Sequence, residues 1–306
     1  MIIFLCFLHT SSLLRERLFS FSLFGRCDLK ILSRSLKFSL STRLFFIRIL
    51  KSVSSVVYSF LTFFTTRNKE SMAKTTRTDG NRKKRLIHGY LLIYNVIQML
   101  GWTAVLASAL RAVLLPSTNG LNWQERLTTV YDHSSMFVKL FQVLALLETM
   151  HAVLGLVRSP VLPGVMQWMG RTHVLMCVTD SIVPLQKTTA AGVLILSWAM
   201  IDCVRYPCYV LGILNATPKW LVYLRYTLFI PLYPLGGASE MKLMYDSIGF
   251  VKQVEMYYVH MPNVLNFAFD YSWFLYLLLI TYPFMFTQLY FYMFHQRRRK
   301  LKMKKA

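Results

Sequence analysis

Two side chains in the C-terminal half have the chemistry of a proton donor and a proton acceptor. Tyr233 and Glu240 bracket the run Pro234-Leu235-Gly236-Gly237-Ala238-Ser239 within an otherwise apolar stretch. Proline lacks an amide N–H and glycine weakens a helix, so the run is expected to break the helix between them. A phenol and a carboxylate meeting at such a break are equipped to protonate one atom of a substrate and deprotonate its neighbour. The plainer alternative is an interfacial tyrosine followed by a loop glutamate.

Further polar residues lie in apolar surroundings, where an ionisable group is costly and marks a functional site. Glu148 and His151 stand three apart on one helix face. Glu-x-x-His is half of a di-iron ligand pattern, but the sequence has no second copy. An internal hydrogen-bonded pair is expected instead, and no metal. Gln167 and Arg171 stand four apart on one stripe, with His173 and Asp180 beyond them. Asp202, Arg205, Tyr206 and Tyr209 fall at i, i+3, i+4 and i+7, a single helical stripe. An Asp202–Arg205 ion pair that only neutralises itself is the structural reading of that stripe, and Pro207 is expected to kink its helix. The five cysteines, at 6, 27, 177, 203 and 208, form no Cys-x-x-Cys, so neither zinc nor a disulfide framework is indicated.

The elements that must position these residues are transmembrane helices. Of 306 residues, 55% are hydrophobic and only 16% charged, against about a quarter charged in soluble domains. The net charge of +22 would suit a nucleic-acid binder, but long apolar runs exclude that class. Spans are expected over residues 90–115, 136–157, 161–183, 190–214, 220–235 and 271–294. The first 71 residues hold 11 Lys and Arg, three acids and 13 serines, a composition like that of a transit peptide. The simplest reading is a leader outside the mature protein, with Met72 as the true start. A basic segment follows over 72–89, then a membrane domain over 90–294 and a basic tail over 295–306. Arg82-Lys83-Lys84-Arg85 and Arg297-Arg298-Arg299-Lys300 flank the spans, and the positive-inside rule sets both termini in the cytosol. Two cytosolic termini require an even number of crossings, and six fits. The fold class is therefore an all-α polytopic bundle of about six transmembrane helices. Lysines third and fifth from the last residue resemble a dilysine retrieval signal of the endoplasmic reticulum.

Several separated motifs together resemble one family, the very-long-chain (3R)-3-hydroxyacyl-CoA dehydratases, also called protein-tyrosine-phosphatase-like or PASTICCINO proteins. They are Tyr94-Asn95 with Gly101-Trp102, Leu147-Glu148-x-x-His151 running to Gly155-Leu156-Val157-Arg158-Ser159-Pro160, and Gln167 with Arg171. Ser197-Trp198, Arg205-Tyr206, Leu224-Arg225-Tyr226, Tyr233-Pro234-x-Gly236, Ser239-Glu240 and Met261-Pro262-Asn263-x-x-Asn266 complete the set. Each is weak alone; their order and spacing are specific. The chain departs from the pattern at Asp202, where the family has Glu, and at Leu235, where it has Thr. The shorter Asp202 is expected to alter the contact with Arg205, and Leu235 to remove a hydrogen bond beside Tyr233.

The resemblance implies dehydration of a 3-hydroxyacyl-CoA to the trans-2-enoyl-CoA, the third step of microsomal fatty-acid elongation. It assigns catalysis to Tyr233 and Glu240 and support to Glu148, Gln167, Arg171, Arg205 and Gly236; Asp202 and Tyr206 join them from the helical stripe. Glu240 is the easier base and Tyr233 the easier donor, since carboxylates ionise near pH 4 and phenols near pH 10, with the reverse assignment also open. No cofactor is required. Arg158, Arg205 and Lys242 are candidates for the anionic CoA head, or helix-end anchors. Expected partners are the acyl-CoA, the endoplasmic-reticulum membrane and other elongation enzymes, with no nucleic acid. Counting six spans places Tyr233 and Glu240 toward the lumen, opposite the cytosolic CoA. Two rival functions are a non-catalytic scaffold of the elongation complex and a phosphotyrosine-binding protein; phosphatase chemistry is excluded because no cysteine begins a Cys-x5-Arg.

Overall fold

The computed structural model describes residues 77–115, 122–262 and 266–302. The leader, Asn263 and the last four residues of the tail lie outside them. Among the described residues the chain is helical: α1 Arg77–Leu114, α2 Trp123–Leu144, α3 Leu146–Val153, α4 Val161–Thr172, α5 Val183–Gln186, α6 Thr189–Ile213, α7 Lys219–Arg225, α8 Phe229–Val254 and α9 Tyr271–Lys302. A π-helical segment, His173–Thr179, extends α4. The stretches Lys84–Leu114, Trp123–Val153, Thr189–Ile213 and Tyr271–Leu301 are long and apolar enough to cross a membrane.

Two of the six expected spans are not among these four. Over 161–183 an α-helix passes into the π-helical segment, which ends at Thr179. The expected span 220–235 is divided between α7 and α8 by a turn at 226–228. Nor does the Pro/Gly run break the chain, because α8 continues through Pro234 and both glycines. Pro234 has no N–H for the carbonyl four residues earlier, Ile230. Tyr290 of α9 replaces it, its hydroxyl donating to Ile230 O at 3.0 Å. An aromatic ladder brings Tyr290 there, stacking on Phe286 with centroids 5.6 Å apart. α6 likewise continues through Pro207.

Side-chain contacts fix which ends of the helices meet. One end gathers Tyr90 with His151, Glu148 with Tyr206, Arg225 with Tyr209, and Phe229 with Phe294. Arg297-Arg298-Arg299-Lys300 follow Phe294 within α9, so this is the basic end. The far end gathers Lys139 and Tyr131 on Asp180, Ser181 with Tyr257, and His173 with Tyr271. α4 and α8 therefore run parallel, from the basic end to the far end, while α6 and α9 return. At the far end Asp270 caps α9, accepting from Ser272 N and Ser272 Oγ at 2.7 Å each. Slight burial pushes its carboxyl up, but these bonds and one from Tyr258 outweigh it and hold it below the ordinary aspartate value.

Lipid is as apolar as leucine, so burial alone does not hold such helices together; close packing and polar ties do. α6 is the centre of this packing, with Leu194, Ile195, Trp198, Ala199 and Asp202 all buried. Its first turn is capped by Thr188, whose hydroxyl accepts from Ala191 N at 3.3 Å. One turn in, Gly192 lies so close to α2 that a Cβ there would sit 2.2 Å from the Leu127 carbonyl oxygen. That neighbour is backbone and cannot swing aside. Gly192→Ala is expected to cost about 1–3 kcal/mol through overpacking. Thermal unfolding of the detergent-solubilised protein checks this, with a lower midpoint for the variant.

Candidate active site

The site forms where α3, α4, α6 and α8 meet, and it is built around one carboxylate. Asp202 is fully buried. Its Oδ2 accepts from Arg171 Nη1 of α4 at 2.7 Å, and its Oδ1 lies 3.1 Å from Arg205 Nε one turn along α6. Arg205 reaches on to Glu148 of α3 at 3.3 Å. Tyr206 closes the network, donating to Glu148 Oε2 at 3.1 Å and accepting from Arg205 Nη2 at 3.1 Å. Two guanidiniums and two carboxylates thus neutralise one another across three helices. The self-neutralising Asp202–Arg205 pair is present, but Asp202 also bridges to Arg171, and its shorter side chain still reaches both cations.

The expected Glu148–His151 pair is replaced by separate partners. Glu148 is taken by Arg205 and Tyr206, whereas His151 bonds Tyr90 Oη at 2.9 Å and packs edge-on against Tyr94. Three-residue spacing put both on one face, but the two side chains meet different neighbouring helices. His173 and Asp180 lie at the far end, outside this network. Among the described residues no group of His, Cys, Asp and Glu is arranged to hold a metal.

From this anchor the chain holds the phenol and the carboxylate of α8. Gln167 precedes Arg171 by one turn, and its Nε2 comes within 3.5 Å of Tyr233 Oη. Trp198 precedes Asp202 by one turn, and its indole N–H donates to Glu240 Oε1 at 3.1 Å. The Arg171 guanidinium lies 5.0 Å from the Trp198 ring centroid, joining the two arms. Tyr282 of α9 donates to the other carboxylate oxygen, Oε2, at 2.7 Å. Seven residues in a continuous helix are two turns, about 10.5 Å along the axis, so Tyr233 and Glu240 share a face. Gly236 lies between them on that face. A Cβ there would meet only Ser197 Cβ, at an ordinary 3.6 Å. Packing therefore tolerates a methyl at Gly236, which is buried beside Ser197 of α6 between the phenol and the carboxylate.

Two site residues, Trp198 and Tyr282, were not singled out by spacing. Trp198 stood in a quoted motif, but an indole in an apolar run reads as core. Tyr282 is one aromatic among many on α9. Leu235 is exposed, pointing away from the site, so a missing hydroxyl there removes no bond to Tyr233's partners. Of the candidate cations for a CoA head, Arg205 is engaged in the network and Lys242 pairs with Asp246 at 2.6 Å. Arg158 lies in the turn between α3 and α4, near the basic end. Tyr233 is one turn from the start of α8 and so also lies toward the basic end. Span counting sets it at the opposite end from the termini, because it ends a helix at Leu235 where the chain begins one at Phe229.

Asp202→Ala would strand the Arg171 guanidinium and leave Arg205 with the Glu148 carboxylate alone, and breaking a buried pair costs about 3–5 kcal/mol. Asp202→Glu keeps the charge. Thermal unfolding is expected to show a large loss of stability for the first and near-normal behaviour for the second.

The comparisons with known proteins come down on one family. The model of the family "Protein tyrosine phosphatase-like protein, PTPLA" matches residues 142–303. The chain is 36% identical over 216 residues to very-long-chain (3R)-3-hydroxyacyl-CoA dehydratase 2 of Homo sapiens, covering 71% of this chain and 82% of that protein. It is 35% identical over 216 residues to the dehydratase hpo-8 of Caenorhabditis elegans, covering 70% and 95%. Against dehydratase 1 of Mus musculus the identity is 31% over 237 residues, covering 76% and 82%. No solved structure matches the chain.

Proposed function

Since the chain belongs to the PTPLA family, that of the very-long-chain (3R)-3-hydroxyacyl-CoA dehydratases, we propose that Tyr233 and Glu240 are the acid and base of its hydro-lyase reaction. The reaction removes water from a (3R)-3-hydroxyacyl-CoA and leaves the trans-2-enoyl-CoA. Its C2–H bond breaks, that electron pair becomes the C2=C3 double bond, and the C3–O bond breaks with protonation of the departing hydroxyl. One group must accept the C2 proton and another must supply the proton that makes water.

The observation that carries the assignment is the pattern of donors around the pair. Both oxygens of Glu240 accept hydrogen bonds, from an indole that can only donate and from a phenol. A carboxylate so held is suited to take a proton. Tyr233 faces the amide N–H of Gln167, which leaves its own O–H free to point at the substrate oxygen. The two groups share one face of α8 two turns apart, so C2 and C3 of the substrate would be held between them. Fixed in this way, donor and acceptor need no rearrangement as charge develops.

The same reading covers placement. Six crossings result if α4 with its π segment and α8 complete the four long apolar helices. With the basic end in the cytosol, Tyr233 would lie toward the cytosolic side, and Arg158, exposed in the turn there, is a candidate cation for the CoA phosphates. An endoplasmic-reticulum membrane and other elongation enzymes are the surroundings this chemistry implies.

Tyr233→Phe and Glu240→Gln are each expected to lower kcat by about 10²–10⁴-fold, the usual worth of a positioned proton transfer. Dehydration of a 3-hydroxyacyl-CoA by purified protein is the assay, with thermal unfolding as the control. Normal turnover in either variant removes that residue from catalysis. Restoration of enoyl-CoA formation in dehydratase-deficient cells separates an enzyme from a scaffold.

A further inference from the structure

Tyr282 reaches the site from the helix least suited to supply it. Little of α9 is buried within the bundle, and most of its surface faces outward. Yet Tyr282 turns inward and places its hydroxyl 2.7 Å from Glu240 Oε2, the length of a charge-assisted O–H···O⁻ bond. A second, independent feature explains how it gets there. A Cβ on Gly237 would lie 2.9 Å from Phe286 Cε2 and 3.5 Å from Tyr282 Oη. The surface of α8 is thus hollowed beside Glu240, and Phe286 and Tyr282 fit over the hollow, their rings stacked with centroids 6.2 Å apart.

We infer that Tyr282 is a positioning residue of the acid–base pair: its hydroxyl, carried over the side-chain-free Gly237, fixes the Glu240 carboxylate for removal of the C2 proton. This rests on the reading of Glu240 as the base. Trp198 on α6 and Tyr282 on α9 grip the carboxylate from two helices, one oxygen each. Every carboxylate oxygen has two lone pairs, so one on each stays available to the substrate. The two donors set the orientation of the carboxylate on the α8 face that it shares with Tyr233. Gly237 and Gly236 then have different tasks. Gly237 admits the α9 aromatics, and Gly236 packs beside Ser197 of α6.

The test uses the full chain in lipid nanodiscs and measures kcat and KM for a 3-hydroxyacyl-CoA. Tyr282→Phe keeps the ring and the ladder but loses the donor. A hydrogen bond to a charged group is worth about 1.5–3 kcal/mol, so kcat is expected to fall about 10–100-fold with KM unchanged. Gly237→Ala keeps the phenol but displaces the Phe286 ring on which it stacks, and the same kcat-only loss is expected. Adding Phe286→Leu, which removes the ring carbon nearest the new methyl, is expected to restore kcat. This pair carries the test if Tyr282→Phe does not fold. Wild-type kcat in Tyr282→Phe beside an inactive Glu240→Gln overturns the inference alone. A rise in KM with kcat unchanged also overturns it, since packing rather than positioning is then lost. Wild-type turnover in Glu240→Gln removes the base and the inference together.

Discussion

One buried carboxylate organises this molecule. Asp202 has no exposure and two guanidinium neighbours, one from α4 and one from its own helix, and through Arg205 it also holds Glu148 on α3. In a lipid-surrounded bundle the attraction between apolar faces is weak, so such polar ties carry the specificity of helix placement. The site hangs from this tie by helical geometry. Gln167 is one turn from Arg171, and Trp198 is one turn from Asp202. Fixing the ion pair therefore fixes the amide beside Tyr233 and the indole on Glu240. A charge network that neutralises itself would add little to catalysis; this one sets the distance between two side chains that do not touch it.

The second organising device is the passage of α8 through its own proline. A helix that had broken at Pro234 would have sent Tyr233 and Glu240 in unrelated directions. Because Tyr290 satisfies the stranded Ile230 carbonyl, the helix continues and the seven-residue spacing becomes a shared face. α9 accordingly serves α8 twice, repairing the backbone near the basic end and supplying Tyr282 two turns nearer the far end.

Much of this was legible in the sequence. Long apolar runs require helices, because only helices and closed barrels satisfy their backbone in lipid. Polar and ionisable residues inside those runs pointed to Glu148, Gln167, Arg171, Asp202, Arg205, Glu240 and their neighbours, since such groups are costly there. The resemblance to the dehydratases then selected Tyr233 and Glu240 from among them. Partnerships were less legible than positions. Spacing along one helix shows which residues share a face but not which helix that face meets, so Glu148 was matched with His151 rather than Arg205. The continuity of α8 was hidden for a related reason: the hydroxyl that makes Pro234 tolerable comes from a tyrosine 56 positions later. Tyr282 and Trp198 were masked by their setting, where an aromatic among aromatics carries no signal until its partner is seen.

The most direct test of the acid–base claim is a structure of the protein bound to a non-eliminating 3-hydroxyacyl-CoA analogue. The account predicts the C3 oxygen within hydrogen-bond distance, about 3 Å, of Tyr233 Oη, and C2 facing the Glu240 carboxylate above Gly236. Reacting carbons seated elsewhere would contradict it, for example in the open cleft of about 740 Å³ at the far end lined by Glu255, His260 and Trp273.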